Sequence, residues 1–139
     1  MKHLWIVLLL LIIPGTVWAS IAEDYSQAIS RVEILTMELS AENYDDEKLC
    51  RAIFQAEGGH RAQYLYGIRS VPYSDVLDAR QICLNTIRNN KKRFMRQAEY
   101  DDYLEFLASR YCPIGAENDP TGLNQHWIKN VQYFYERGA

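Results

Sequence analysis

Apolar residues recur along most of this 139-residue chain at intervals of three and four positions, which is the repeat of an amphipathic helix. No segment alternates polar and apolar residues as a half-buried strand does. The pattern therefore predicts a mainly α protein, all-helical or helix-dominated, with a single compact domain. We expect helices at about residues 22–40, 45–57, 75–88, 101–112 and 124–138.

Two of these helices have clear local signals. The third begins at Ser74 or Asp75, and Asp75 and Asp78 have the spacing of a helix cap. The second begins with a run of three acidic residues, which suits the positive end of a helix dipole, and stops at a Gly-Gly pair. The predicted apolar side of the first helix carries Ile29, Val32, Leu35 and Leu39. That of the second helix carries Leu49, Ala52, Ile53 and Ala56.

The beginning of the chain has the layout of a cleavable secretory signal peptide. Residues 1–3 carry positive charge, residues 4–13 are an unbroken apolar run, and small side chains occupy the −3 and −1 positions before Ser20. The run is too short to cross a bilayer, so no stable membrane span is expected after cleavage. We predict a signal peptide at 1–19 and one domain at 20–139 of a periplasmic or secreted protein. An uncleaved membrane anchor is the alternative.

Charge is unevenly distributed along the predicted domain. Residues 23–47 hold eight carboxylates and one Arg, whereas residues 48–96 hold ten basic residues and three acidic ones. The basic middle suits an anionic polymer such as a cell-wall glycan, although the plainer interpretation is a solvated face opposite an acidic one. Nucleic acid is a poor candidate partner, because the mature chain is acidic and exported.

Glu57 occupies an unfavourable position for a carboxylate. It ends the second predicted helix, where the helix dipole is negative, and its side chain borders an apolar face because it lies four residues after Ile53 and seven after Cys50. Two Gly residues follow and leave space beside the carboxyl. The dipole and the apolar neighbours should both raise the pKa of Glu57, as a glycosidase acid requires. The alternative is a solvated, idle Glu at a frayed helix end.

A resemblance to the lysozyme-like superfamily begins at this residue. Residues 52–59 (AIFQAEGG), followed by Tyr-Gly-Ile at 66–68, look like the step in that superfamily where a helix ends in the catalytic Glu. Residues 78–94 resemble the next long helix of the soluble lytic transglycosylases, and 107–113 are similar to their alanine-rich helix with its tyrosine turn. The resemblance implies a lysozyme-like fold with a minimal sheet, and Glu57 as the catalytic acid.

The pattern is closest to soluble lytic transglycosylases and goose-type lysozymes. Leu65 stands where animal lysozymes have their second carboxylate, and no acid lies between Glu57 and Asp75. The resemblance implies cleavage of the β-1,4 bond between N-acetylmuramic acid (MurNAc) and N-acetylglucosamine (GlcNAc) in peptidoglycan strands. In transglycosylases one Glu acts as acid and then as base while the C6 hydroxyl of the sugar closes a 1,6-anhydro ring. That chemistry needs no protein nucleophile, cofactor or metal.

Two alternatives remain beside the transglycosylase: a hydrolytic muramidase, and a non-catalytic exported module that binds glycan or protein. The family's Asn-Ala-Gly turn is missing at 110–113, so only Tyr111 is carried over, as a group that hydrogen-bonds the acid or the substrate. A short exported enzyme of this kind is also compatible with local opening of the wall for a secretion, conjugation or phage apparatus.

Tyr66, Tyr111, Tyr64 and His60 are the predicted substrate-binding residues, because amphipathic rings suit the faces of pyranoses and His60 follows the Gly pair. Core packing for the tyrosines and simple exposure for His60 are the alternatives. His60 and His126 have no Cys or carboxylate at ligand spacing, so no metal site is predicted. Tyr73, Trp127 and Tyr133 complete the pool of rings for sugar stacking.

Three cysteines lie in the predicted domain. In an oxidising compartment they allow one disulfide bond and one leftover thiol, in three ways. Cys83 and Cys112 each lie on or just beyond a core-facing helix side, so a disulfide between them is predicted, with Cys50 buried and free.

Overall fold

The computed structural model describes residues 15–97 and 99–138, and within them the chain is helical with no residue in a strand. The α-helices of this part of the chain are α1 (Gly15–Glu42), α2 (Asp46–Ala56), α3 (Val76–Phe94), α4 (Tyr103–Tyr111) and α5 (Trp127–Glu136). Three 3₁₀ turns lie at Gly59–Arg61, Leu65–Gly67 and Leu123–His126. The mainly α prediction is confirmed, and each of the five predicted helices has its counterpart, but the minimal sheet that the resemblance implied is not found in the described residues.

Residues 1–14, which make up most of the predicted signal peptide, lie outside the described residues. None of the described helices combines the length and the apolar character that a membrane crossing requires.

Three aspartates fix where α2, α3 and α4 begin. Asp45 accepts a hydrogen bond from a backbone N–H in the first turn of α2 at 2.8 Å, and Asp75 and Asp102 each accept two such bonds from α3 and α4. Each cap satisfies donors that the first turn leaves unpaired and stabilises its helix by about 1 kcal/mol. The carboxylate of Asp78 accepts the backbone N–H of Ser74 at 3.0 Å, so the predicted cap of α3 is confirmed.

The chain divides into two units at residue 35, inside α1. Every residue from 16 to 36 is exposed, including Ile29, Val32 and Leu35 on the predicted apolar side of this helix. In the unit that begins at Thr36, Met37 and Ala41 are buried one turn apart, whereas Leu39 is exposed. The predicted domain start at residue 20 lies within the exposed stretch of α1.

The core of the unit that begins at Thr36 is built around α2. This helix packs against α5 and α3, and its Leu49, Ala52 and Ile53 are fully buried, as their spacing predicts. Burying a Leu or Ile side chain stabilises the fold by about 1.5–3 kcal/mol. Other large side chains that are fully buried are Ile87, Phe94, Tyr103, Leu104, Leu107 and Val131. The end of α2, where Glu57 lies, is therefore anchored on two sides.

Ion pairs join the acidic beginning of α2 to the basic face of α3. Asp46 lies 2.7 Å from the Lys91 ammonium and 3.1 Å from the Arg88 guanidinium, and Glu47 pairs with Arg80. Burial alone would raise the pKa of Asp46, but the hydrogen bonds from Lys91 and Arg88 hold it below its ordinary value. Part of the uneven charge in the sequence is thus matched inside the fold.

Candidate active site

Glu57 is the C-cap residue of α2. Its backbone N–H still donates to the carbonyl of Ile53 at 2.9 Å, and its φ and ψ of −83° and 4° begin the turn out of the helix. Gly58 then takes φ +100°, a left-handed conformation that glycine adopts at no steric cost. The helix therefore ends abruptly after Glu57, and the carboxyl group lies at the wall of an open cleft.

Two groups hold the Glu57 carboxyl in place. The indole N–H of Trp127, the first residue of α5, donates a hydrogen bond to Oε1 at 2.8 Å. Gly67 lies so close to the same carboxyl that a Cβ there would be 2.7 Å from both Cδ and Oε2 of Glu57. Real Cβ atoms do not approach this closely, so the position of the carboxyl depends on glycine at residue 67.

Burial raises the pKa of Glu57, and the Trp127 hydrogen bond and the positive charge of Arg69 offset this only in part. Desolvation acts this way because it disfavours the charged form of a carboxyl group. A carboxyl with a raised pKa stays protonated closer to neutral pH and can donate a proton to a leaving oxygen. The direction of the shift is the one predicted from the apolar neighbours of Glu57.

The cleft beside Glu57 has a volume of about 190 Å³ and opens to solvent, and its walls are mainly polar. Arg69 supplies a positive charge, and the amides of Gln63, Asn118 and Asn124 supply both donors and acceptors. The remaining walls come from Ala62, Tyr64, Gly67, Tyr111, Cys112 and Pro113. Glu57 is the one carboxylic acid among the described residues that line the cleft.

Tyr111 forms the back of the site. Its ring stacks on Trp127, with the ring centroids 5.4 Å apart and the planes inclined by 29°. Its hydroxyl donates to the backbone carbonyl of Tyr66, and burial raises the pKa of the Tyr111 phenol well above its ordinary value. Tyr111 therefore contacts Trp127 and the Tyr66 carbonyl, which are neighbours of Glu57, whereas the hydrogen bond to the Glu57 carboxyl comes from Trp127.

The backbone at Tyr66 is strained. Its φ is +56°, in a region where non-glycine residues are uncommon and cost about 1–2 kcal/mol. No other non-glycine residue in the described segments has a positive φ. The bond from Tyr111 to the Tyr66 carbonyl holds this turn, which brings Gly67 against the Glu57 carboxyl.

The predicted substrate-binding residues separate into two groups. Tyr64 and Tyr111 line the cleft, and the guanidinium of Arg69 lies 5.2 Å from the centre of the Tyr64 ring. The substrate contact predicted for Tyr66 does not fit its position, because its side chain is 5 % exposed and packs 4.9 Å from Phe54. His60 is exposed, lies edge-on to Phe54, and is not among the residues that line the cleft.

Asp119 organises the loop that forms the far wall of the cleft. Its two carboxylate oxygens accept the backbone N–H groups of Leu123 and Asn124 at 2.8 and 2.9 Å. The Asn124 amide in turn donates to the carbonyl of Pro113 at 2.8 Å and accepts from the Cys112 thiol at 2.9 Å. The part of the cleft wall that this loop forms was not predicted from the sequence.

The three cysteines are all thiols in this structure. The predicted disulfide between Cys83 and Cys112 is not formed, because the buried Cys83 contacts Cys50 instead, and Cys112 is bonded to Asn124 in the cleft wall. Cys50 is fully buried, as predicted. Within the described residues no group of three or more metal-ligating side chains comes together.

No protein-family model matches the chain, and neither a curated protein nor a solved structure does.

Proposed function

We propose that this chain is a glycosidase with Glu57 as its general acid. More particularly, we propose a lytic transglycosylase that cleaves the MurNAc–GlcNAc β-1,4 bond of peptidoglycan outside the cytoplasm. The observation that carries the proposal is a carboxyl of raised pKa, held by the Trp127 indole and the adjoining Gly67, at the wall of an open polar cleft. An idle Glu at a frayed helix end would have neither the indole donor nor the close glycine.

In the first step Glu57 donates its proton to the glycosidic oxygen as the bond to the sugar breaks. Positioned acid catalysis of this kind contributes about 10²–10⁴-fold in rate. As Glu57 becomes an anion, the hydrogen bond from Trp127 strengthens, because a charge-assisted bond is stronger than a neutral one. The Glu57 carboxylate then accepts the proton of the C6 hydroxyl, whose oxygen closes the 1,6-anhydro ring.

The lack of a second acid favours the transglycosylase over a hydrolase. Inverting glycosidases need a second carboxylate about 6.5–9.5 Å away to activate water, and retaining ones need a nucleophile about 5–5.5 Å away. Among the described cleft-lining residues Glu57 has no such partner. Ring closure by the C6 hydroxyl of the sugar needs no second protein carboxylate, so it suits this cleft.

The remaining cleft residues suit an N-acetylated, anionic glycan. The amides of Gln63, Asn118 and Asn124 match the donor and acceptor of an acetamido group. The Arg69 guanidinium suits the carboxylate of the MurNAc lactyl group or stem peptide, and the Tyr64 ring offers an apolar face to a pyranose.

Digestion of purified peptidoglycan tests the proposal. The wild-type protein and a Glu117→Gln variant, whose substituted side chain is exposed outside the cleft lining, should both release muropeptides, whereas Glu57→Gln should be inactive. Mass spectrometry should find 1,6-anhydro-MurNAc ends. Reducing ends would instead identify a hydrolytic muramidase. If all three proteins bind the wall and none releases products, the chain is a non-catalytic module and the proposal is wrong.

A further inference from the structure

A buried pair of thiols lies behind the candidate active site. Cys50 on α2 and Cys83 on α3 are both fully buried, and their thiols lie close enough to shift each other's pKa. Cys50 Sγ also lies 3.8 Å from the carbonyl oxygen of Arg80, one helical turn before Cys83. The side of α2 that carries Cys50 therefore faces the side of α3 that carries Cys83.

We propose that Cys50 and Cys83 are a disulfide-forming pair that cross-links α2 to α3 when the chain is exposed to an oxidising compartment. The proposal does not depend on the glycosidase activity. It rests on two fully buried cysteines of packed helices, with Cys50 Sγ 3.8 Å from the backbone of α3 one turn before Cys83, since a disulfide needs side chains that meet across a short gap.

The chemistry of the pair is asymmetric. The Cys83 thiol lowers the pKa of Cys50, and the Cys50 thiol, together with burial, raises the pKa of Cys83. In the folded core Cys50 is therefore the better thiolate; before the core closes either cysteine can attack first, and the steps below are written with Cys50 first.

The oxidant is a disulfide-bonded donor, either a small-molecule disulfide such as oxidised glutathione or a disulfide oxidoreductase. The Cys50 thiolate attacks one donor sulfur, the donor S–S bond breaks, and the first donor thiol leaves. The Cys83 thiolate then attacks Cys50 Sγ in the mixed disulfide and releases the second donor thiol. The two electrons and the two protons of the pair pass to the donor. Because both cysteines are fully buried in the folded chain, the exchange takes place before the core closes.

Cys112 is not part of this pair. It is half-buried, its thiol donates to Asn124 Oδ1 at 2.9 Å, and it lines the cleft on the far wall. The hydroxyl of Tyr111, at 4.0 Å from Cys83 Sγ, is the group that faces Cys83 from α4. Cys112 is therefore the thiol that stays free.

The cross-link would close a loop that contains Glu57, Gly67 and Arg69, since Cys50 and Cys83 lie on either side of all three. A disulfide that closes a loop of this length restricts the unfolded chain and raises the melting temperature of a small domain by roughly 10 °C. The helix that ends in Glu57 would then be held covalently, two turns before the acid.

Thiol counting on the full chain tests the proposal. The purified protein is unfolded, refolded in a mixture of oxidised and reduced glutathione, denatured again, and labelled with N-ethylmaleimide before and after reduction. We expect one label before reduction and three after it, and a non-reduced digest that joins the peptides of Cys50 and Cys83. Three labels before reduction, or a cross-link that includes Cys112, would overturn the proposal.

Three variants control the assignment. Cys112→Ser should keep the cross-link and show no label before reduction, whereas Cys50→Ala and Cys83→Ala should each show two. Reductant should lower the melting temperature of the wild type and of Cys112→Ser by the same amount. If reductant leaves both melting temperatures unchanged, the cross-link is absent and the proposal fails, even if neither alanine variant folds.

Discussion

Gly67 offers a test of the site in which a single methyl group is added. In Gly67→Ala the new Cβ would lie 2.7 Å from Cδ of Glu57, about 1 Å inside an ordinary contact between carbon atoms. The carboxyl must therefore move by about this distance. Because a misplacement of about 1 Å costs on the order of 100-fold in rate, muropeptide release should fall by about that factor.

Gly115→Ala is the matched control. Gly115 also has a left-handed φ, of +79° against +68° at Gly67, but a Cβ there would meet nothing within 4 Å. Both variants should therefore lose about 1–2 kcal/mol in free energy of unfolding by urea, from the backbone penalty alone. Only Gly67→Ala should lose activity on peptidoglycan. Equal activity of the two variants would refute the argument that Gly67 sets the position of the Glu57 carboxyl.

Three further predictions concern Glu57 and its neighbours. Trp127→Phe keeps the ring that stacks on Tyr111 but removes a hydrogen bond to the Glu57 carboxylate worth about 1.5–3 kcal/mol. The pKa of Glu57 should rise by about one unit or more, and the basic limb of the pH–rate profile should shift to higher pH by the same amount. A basic limb at the same pH as in the wild type would contradict this prediction. The folded-state pKa of Glu57 is raised, so the wild type loses stability as the pH rises above the ordinary pKa of a carboxyl group. Glu57→Gln avoids this loss and should raise the melting temperature at pH 7 by a few degrees. The gain should vanish below about pH 4, where the folded and unfolded wild type are both protonated, and a lower melting temperature at pH 7 would count against a buried acid. Arg69→Gln should raise the KM for peptidoglycan about tenfold, but should leave the KM unchanged for strands whose carboxylates have been converted to amides. An equal rise in KM on both substrates would show that Arg69 does not bind the carboxylate.

Features with a local cause could be predicted from the sequence. The caps at Asp75 and Asp78 depend on residues within one turn, and their bonds to nearby backbone N–H groups are found as expected. The raised pKa of Glu57 was also predicted, because burial of the apolar face of α2 brings the carboxyl out of water.

Features that join distant parts of the chain could not be predicted. Trp127 lies 70 residues after Glu57, and nothing in the local pattern shows that its indole N–H reaches the carboxyl. The cysteines illustrate the same limit, since the helical repeat indicated that Cys83 faces the core but not that Cys50 is its neighbour there. The first helix shows a different limit. Its apolar repeat correctly predicted a helix, but Ile29 and Leu35, on the predicted apolar side, are exposed.

The hydrogen bond between Trp127 and Glu57 has a consequence for when the protein can act. The two residues are synthesised 70 positions apart, at opposite ends of two different helices, and the site is assembled only when α5 docks on α2. A chain that is still emerging from the ribosome or crossing a membrane, with Trp127 not yet folded, carries Glu57 without its donor and without the Tyr111–Trp127 stack behind it. If Glu57 acts as proposed, activity would then begin only once α5 has been synthesised and has docked on α2.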